Sequence, residues 1–399
     1  MRPSPPRARR LSFAAAFVAA TLAVLGGVVA AEQVRFVGDA LERPGLDAFY
    51  AQPAGASEGA PGSIVKIDAL MGAPFASRAW RIMYRTTDVH GDPAVATGVL
   101  VVPLTPAPPR GRTVVSWGHP TTGAARGCAP SYGFDPFLGI EGLRSLLDRG
   151  YAVVATDYVG MGTAGTDSYL VGVTGGNAVL DAARAAGAVA DARASDRVVL
   201  WGHSQGGQAV LFAAQRAADY APELSVLAVA AAAPAADLPG LMSAHLDDIS
   251  GVTIGAYAFT AYAEVYPAAS LDDILTPRAQ AVVPRMNELC LLSHLRELHR
   301  IGAPLVGDFT TSDPTSTEPW ATLLAENSAG ETTFAAPLFL AQGLRDELVV
   351  PADTAQFADA EASRGMDVTY HEIPFADHGT VAYLALPAML RWLDRVAFG

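Results

Sequence analysis

Val198-Val199-Leu200-Trp201-Gly202-His203-Ser204-Gln205-Gly206-Gly207 is the stretch that decides the fold. An apolar run leads straight into a Gly-x-Ser-x-Gly pentapeptide, and a helix-forming segment, Gln205 to about Asp219, follows without a gap. A bare Gly-x-Ser-x-Gly carries little information in a chain with 38 glycines. The strand in front and the helix behind change that. They are the setting in which a serine sits on a strained turn with its hydroxyl exposed. Gly202 and Gly206 fit this reading because side chains there would collide across so tight a turn. Ser204 is therefore the candidate nucleophile.

The flanking sequence supplies the rest of an α/β architecture. Ala79–Val89 and Ala94–Val102 read as a hairpin turning at His90-Gly91-Asp92-Pro93, and Pro103 to Gly111 as a Pro-rich surface turn. Then come a strand at Thr113–Trp117, a helix near Phe137–Arg149, a strand at Tyr151–Thr156 and a long helix around Asn177–Ala194. Strands at Arg197–Trp201 and Leu224–Ala230 follow. Such alternation after an initial hairpin predicts a mostly parallel central sheet flanked by helices on both faces. Between about Ala236 and Phe334 the pattern breaks into irregular sequence rich in Ala, Pro and aromatics, with helical pieces such as Leu291–Arg300. Alternation resumes at Pro337–Ala341, Thr354–Ser363, Asp367–Ile373 and Val381–Phe398. The expected organisation is a first core part at 32–235, a mostly helical cap at 236–334 and a final core part at 335–399. The cap would sit over the C-terminal edge of the sheet, where open α/β sheets bind ligands.

A serine hydroxyl needs a base to take its proton, and the order serine, acid, histidine restricts the choice to histidines beyond the cap. His371 falls inside a strand run and reads as structural. His378, in Phe375-Ala376-Asp377-His378-Gly379, falls in the loop after that strand and is the expected base. Asp346 sits where the strand Leu338-Phe339-Leu340-Ala341 gives way to Gln342-Gly343-Leu344-Arg345-Asp346, and is the expected acid. It would hold the histidine tautomer and stabilise the imidazolium. Glu347, Asp353 and Asp377 read as solvated loop carboxylates. The oxyanion hole calls for the backbone N–H of Gln205 and one from Ser116-Trp117-Gly118-His119-Pro120-Thr121-Thr122-Gly123. Pro120 has no N–H, and Thr121 and Thr122 serve equally well on sequence grounds. His119, early in the chain, reads as a packing residue.

The N-terminus has the layout of a secretory signal at 1–31. Arg2, Arg7, Arg9 and Arg10 precede an apolar run from Leu11, which ends in Val29-Ala30-Ala31. The competing reading is an uncleaved signal anchor. Cleavage predicts a secreted or periplasmic protein with no stable membrane insertion, and moves the net charge from −13 to −17 by removing four arginines. That charge offers no basic stripe for phosphates, which argues against nucleic acid as a partner. Lys66 is the only lysine. In an exported chain the two cysteines, Cys128 and Cys290, read as a disulfide rather than as two free thiols. Closing so long a loop is worth about 5 kcal/mol in the chain-entropy picture. His294 and His299, the remaining close pair of candidate ligands, lie on different faces of a helix, so no metal site is expected.

Several blocks in the right order resemble the secretory lipase family typified by fungal lipase A. They are Tyr84-Arg85-Thr86-Thr87, Ser116 to Gly133 with Cys128-Ala129-Pro130-Ser131-Tyr132, Tyr220-Ala221-Pro222-Glu223-Leu224, Asp346-Glu347-Leu348-Val349-Val350-Pro351 and Asp377-His378. The resemblance covers roughly Pro44 to Phe398. It implies an α/β-hydrolase with a mostly helical cap, acting without a cofactor on acylglycerols or other small-molecule esters. The family triad falls on Ser204, Asp346 and His378, its earlier oxyanion position on Thr122, and a family disulfide on Cys128 and Cys290. This chain departs from the fungal pattern at Thr122, where fungal members carry an acidic residue, and in reading Gly-His-Ser-Gln-Gly for Gly-Tyr-Ser-Gly-Gly. A second family disulfide has no cysteines here, and the chain's stop at Gly399 implies no C-terminal flap. A secreted esterase or lipase is thus the expectation. A serine peptidase or amidase, an acyltransferase and a non-catalytic lipid-binding relative are the alternatives. Phe259, Tyr262 and Tyr266 are the cap aromatics expected to suit an acyl chain.

Overall fold

The computed structural model describes residues 46–133 and 135–397; the secretory signal read at 1–31 lies outside them. Nine strands form one sheet in the order β1-β2-β3-β5-β4-β6-β7-β8-β9. They are β1 (Ile64–Ala69), β2 (Ser77–Thr87), β3 (Pro93–Pro103), β4 (Arg112–Gly118), β5 (Ala152–Val159), β6 (Ala194–His203), β7 (Ser225–Ala232), β8 (Leu338–Gly343) and β9 (Val368–Ile373). The expected hairpin is β2–β3, with Thr87 opposite Pro93, and β3 pairs antiparallel with β5. From β5 to β9 every pairing is parallel.

Residues along β4, β5 and β8 are all buried, as strands covered on both faces require. Their period-2 alternation sorts these apolar runs onto two sides. Val114, Val154, Val198 and Leu200 face α2 (Gly172–Ala188) and α3 (Gln205–Tyr220). Val115, Val153, Val199 and Trp201 face the opposite core with α1 (Leu143–Asp148) and α10 (Val381–Val396). Helix α9 (Pro351–Ser363) joins β8 to β9.

Two helices differ from the sequence expectation. The helix expected around Asn177–Ala194 begins at Gly172 and ends at Ala188. Its first turns contain Gly172, Gly175 and Gly176, residues that ordinarily weaken a helix. Here they permit close contact with α3: a Cβ on Gly176 would lie 2.8 Å from the backbone N of Ala213, and one on Gly172 2.3 Å from the Phe212 ring. Tertiary packing has overridden propensity. The helix expected near Phe137–Arg149 is confined to Leu143–Asp148, because Gly142 ahead of it takes a left-handed φ of 82°.

Between β7 and β8 lie α4 (Leu238–His245), α5 (Ile249–Val265), α6 (Pro277–Asn287), α7 (Leu291–Gly302) and α8 (Trp320–Glu326). Their aromatics share one apolar cluster with Trp201 and Phe339 of the sheet. Phe259 stacks on Phe309 at 6.2 Å between ring centroids and meets Trp320 edge-on at 5.4 Å. Tyr262 donates its hydroxyl to the Leu170 carbonyl at 3.0 Å. Both are fully buried, so these two residues build the core of the insertion. Asn327, just past α8, joins it to the sheet helices: it accepts from Gly172 N at 2.8 Å, donates to Tyr266, and its carbonyl accepts from Gln208 at 2.6 Å.

Candidate active site

Ser204 occupies the turn between β6 and α3 with φ 57° and ψ −119°, a conformation costly for any residue with a Cβ. Hydrogen bonds over-determine it. Ser204 N donates to Ala232 O at 3.0 Å, and its carbonyl accepts from Gln208 N and Ala235 N, each at 3.1 Å. Steric room is as limited as the motif implied. A Cβ on Gly202 would lie 2.1 Å from the Gly206 carbonyl oxygen, and one on Gly206 1.9 Å from the Gly118 carbonyl oxygen. Strand β4 thus touches the start of α3 backbone to backbone.

His378 lies in the loop between β9 and α10. Its Nε2 is 2.9 Å from Ser204 Oγ and its Nδ1 2.8 Å from Asp346 Oδ2. The Asp346 side chain is fully buried. Its Oδ1 accepts from the backbone N–H groups of Leu348 and Val349, each at 2.9 Å. That leaves Oδ2 for His378, with Gln342 Nε2 donating to it from 3.3 Å. An acceptor-only carboxylate holds the proton on Nδ1, so Nε2 presents a lone pair to the serine hydroxyl. The three groups come from three separate loops at the C-terminal edge of the sheet.

The bland alternatives lie elsewhere. His371 on β9 is paired with Ala341 of β8, its ring centroid 6.1 Å from that of Phe339. Asp377 turns to the Thr380 N–H and hydroxyl, and the bond from that side chain holds its carboxyl below the usual range. Burial raises the Asp353 carboxyl. His119 is buried against Tyr158 with its pKa pushed down to about 4 by that burial, as suits a packing residue.

The loop after β4 carries both threonines. Thr121 Oγ1 shares a 2.7 Å hydrogen bond with the Tyr169 hydroxyl. Thr122 Oγ1 is buried without a partner, and its carbonyl accepts from Leu291 N at 2.8 Å. Gln205 begins α3, so its N–H is one of those a helix cannot satisfy internally. Further along the loop, Ser131 N donates to the buried Asp157 carboxyl of β5 at 2.9 Å, and the Ser131 carbonyl accepts from Arg81 Nε at 2.9 Å. Cys128 and Cys290 form a disulfide across 162 residues, tying this loop to the start of α7. Mass spectrometry of unreduced proteolytic peptides is expected to recover the two cysteines as one linked pair. Two freely alkylated thiols in protein from an oxidising compartment would rule that out.

One buried pair has no signature in the sequence. His203, immediately before the serine, has Nδ1 2.8 Å from Glu141 Oε1, and both side chains are only 4% exposed. The His203 ring centroid is 5.0 Å from that of His378. No spacing rule links positions 141 and 203.

The secretory lipase profile matches residues 140–397, well over half of the chain. The chain belongs to the secretory lipase family. Among secretory lipase relatives, a protein named probable inactive lipase from Mycobacterium tuberculosis is 26% identical over 376 residues, covering 89% of this chain and 82% of its own. Lipase 10 of Candida albicans is 25% identical over 391 residues, with 89% and 81% covered. Among solved structures, Candida antarctica lipase A in its closed state superposes with a TM-score of 0.72 at 18% identity, over 87% of this chain and 85% of that one. The rice cell wall degrading esterase LipA from Xanthomonas oryzae gives 0.70 at 23% identity, over 85% and 99%. These likenesses establish the α/β-hydrolase fold for this secretory lipase family member.

Proposed function

We propose that this chain is a secreted serine esterase that hydrolyses acyl esters through Ser204, His378 and Asp346. The observation that carries the reading is the continuous relay from Asp346 Oδ2 through both nitrogens of His378 to Ser204 Oγ, at 2.8 and 2.9 Å. The mycobacterial relative is named a probable inactive lipase. In this chain all three groups are present and hydrogen-bonded, which supports turnover here.

The chemistry follows from the geometry. His378 Nε2 takes the Ser204 proton as Oγ attacks the ester carbonyl carbon, and the imidazolium is stabilised by Asp346. The tetrahedral oxyanion accepts from the Gln205 N–H and from the 121–122 loop. Thr122 is the better candidate there, because its hydroxyl is uncommitted whereas that of Thr121 is bonded to Tyr169. Collapse breaks the bond to the alkoxide, which leaves as the alcohol with the proton from His378. Water then attacks the acyl-serine, giving up its proton to His378, and the acid departs with Ser204 regenerated. The reaction calls for no cofactor. The helices between β7 and β8 would act as a cap over this edge.

Substrate range follows from charge. At a net −13, or −17 once the four arginines of the secretory signal are removed, the protein's net charge opposes binding to anionic lipid interfaces. Soluble short- and medium-chain esters are therefore expected to outrun emulsified long-chain triacylglycerol. The check is a kcat/KM series on p-nitrophenyl esters from about two to about sixteen carbons, run beside an emulsified oil, with Ser204→Ala as the blank. Rates that climb steadily with chain length and jump when droplets form would show a lipase acting at interfaces instead.

A further inference from the structure

We infer that Glu141 and His203 form a second, charge-bearing support for His378, so that the base works between two carboxylates rather than one. The inference rests on the proposed role of His378 and adds to it a pair that the Ser-His-Asp relay does not contain. Glu141 precedes α1 and His203 ends β6, so the sheet brings together positions far apart in sequence. His203 Nδ1–H donates to Glu141 Oε1 at 2.8 Å. The His203 ring then lies 5.0 Å from the His378 ring at an interplanar angle of 42°. Glu141 is anchored in turn, because Trp201 Nε1 donates to its backbone carbonyl at 2.9 Å.

Two atoms of the pair, Glu141 Oε2 and His203 Nε2, are buried without a partner. An arrangement that served only packing would be cheaper with apolar groups, since orphaned buried polar atoms cost stability. The Glu141 carboxylate then stands one imidazole ring behind His378. Tyr383 on α10 and Tyr158 on β5 are near enough to Glu141 for its charge to add to the rise that burial gives each phenol. Around His378 stand Asp346, Ser204, His203 and, in its own loop, Asp377, whose carboxyl is taken up by Thr380. None of these is a cation; of the flanking loops, Arg345 beside Asp346 lays its guanidinium over the Phe375 ring at 5.9 Å, and His245 of α4 pairs with Asp248 at 2.6 Å while its other nitrogen meets the Leu348 carbonyl at 2.8 Å.

The consequence is electrostatic. Imidazolium forms on His378 each time Ser204 or water surrenders a proton, and a buried carboxylate one ring away favours that cation. Glu141→Gln keeps the shape and an acceptor for His203 but removes the charge. Its effect should be a lower kcat, by about 5- to 20-fold. The acid limb of its pH–rate profile should also move to lower pH, by about half a unit to one unit. His203→Gln leaves the carboxylate in place and should leave the limb where it is.

The test is the kcat/KM–pH profile of wild type, Glu141→Gln and His203→Gln on p-nitrophenyl butyrate, read at the isosbestic wavelength of nitrophenol, with circular dichroism confirming the fold. If Glu141→Gln does not fold, the double variant Glu141→Leu with His203→Phe leaves no orphaned charge and should show the same shift. A limb that moves for Glu141→Gln and stays for His203→Gln is the expected result. A loss of kcat with the limb unmoved would reduce the pair to a structural role and overturn the inference. Ser204→Ala activity equal to wild type would instead overturn the triad reading on which it rests.

Discussion

Replacing Ser204 by alanine is expected to lower kcat by roughly a million-fold, and His378→Ala by about as much, because neither group has a function without the other. Asp346→Asn should cost about ten-thousand-fold, since an amide at that position can donate to Nδ1 and favour the wrong tautomer. The effects should not add. A triple variant is expected to be no slower than Ser204→Ala, with the remaining acceleration supplied by the oxyanion donors. The measurement is turnover of a short-chain nitrophenyl ester by purified variants with matched thermal unfolding. An active His378→Ala together with a dead His371→Ala would show that the base has been misassigned.

The second large effect is expected at Gly206, a residue with no catalytic group. An added Cβ would lie 1.9 Å from the Gly118 carbonyl oxygen and 2.2 Å from its carbon. Both belong to the backbone of β4, which cannot step aside as a flexible side chain could. Strand β4 and the start of α3 must separate, at a cost of about 3 kcal/mol for overpacking of this kind. The separation also moves Ser204 and Gln205 relative to the 121–122 loop, and misplacement of about 1 Å is enough to lose about a hundredfold in rate. Gly206→Ala should therefore lower the Tm and cut kcat at least a hundredfold. Gly379→Ala, beside His378 but with only Asp377 Oδ1 nearby at 3.9 Å, is the control and should be close to neutral in stability. Equal behaviour of the two variants would show that the contact between β4 and α3 does not set the geometry of the serine turn.

Short-range sterics and chain order are legible in one dimension. An apolar strand, a glycine-flanked serine and an immediate helix leave one way for the backbone to run, and Ser204 at φ 57° follows from it. The convergence of Asp346 and His378 on Ser204 was legible because each follows a strand near the chain's end, where a parallel sheet brings successive loops to one edge. The alternation of β-branched runs with helices likewise disclosed the parallel part of the sheet, since strands buried on both faces must be apolar throughout. The remaining features depend on packing in three dimensions. Glycines at 172, 175 and 176 read locally as helix breakers, yet they begin α2 because α3 approaches too closely for side chains. Thr121 and Thr122 have identical side chains one residue apart, and only the placement of Tyr169 distinguishes their hydroxyls. Phe259 and Tyr262 read as lining for an acyl chain but are consumed by the core of the insertion. Glu141 and His203 meet across the sheet with no pattern in the chain to announce it. In each case the deciding contact joins residues distant in sequence, and one-dimensional spacing carries no record of such contacts.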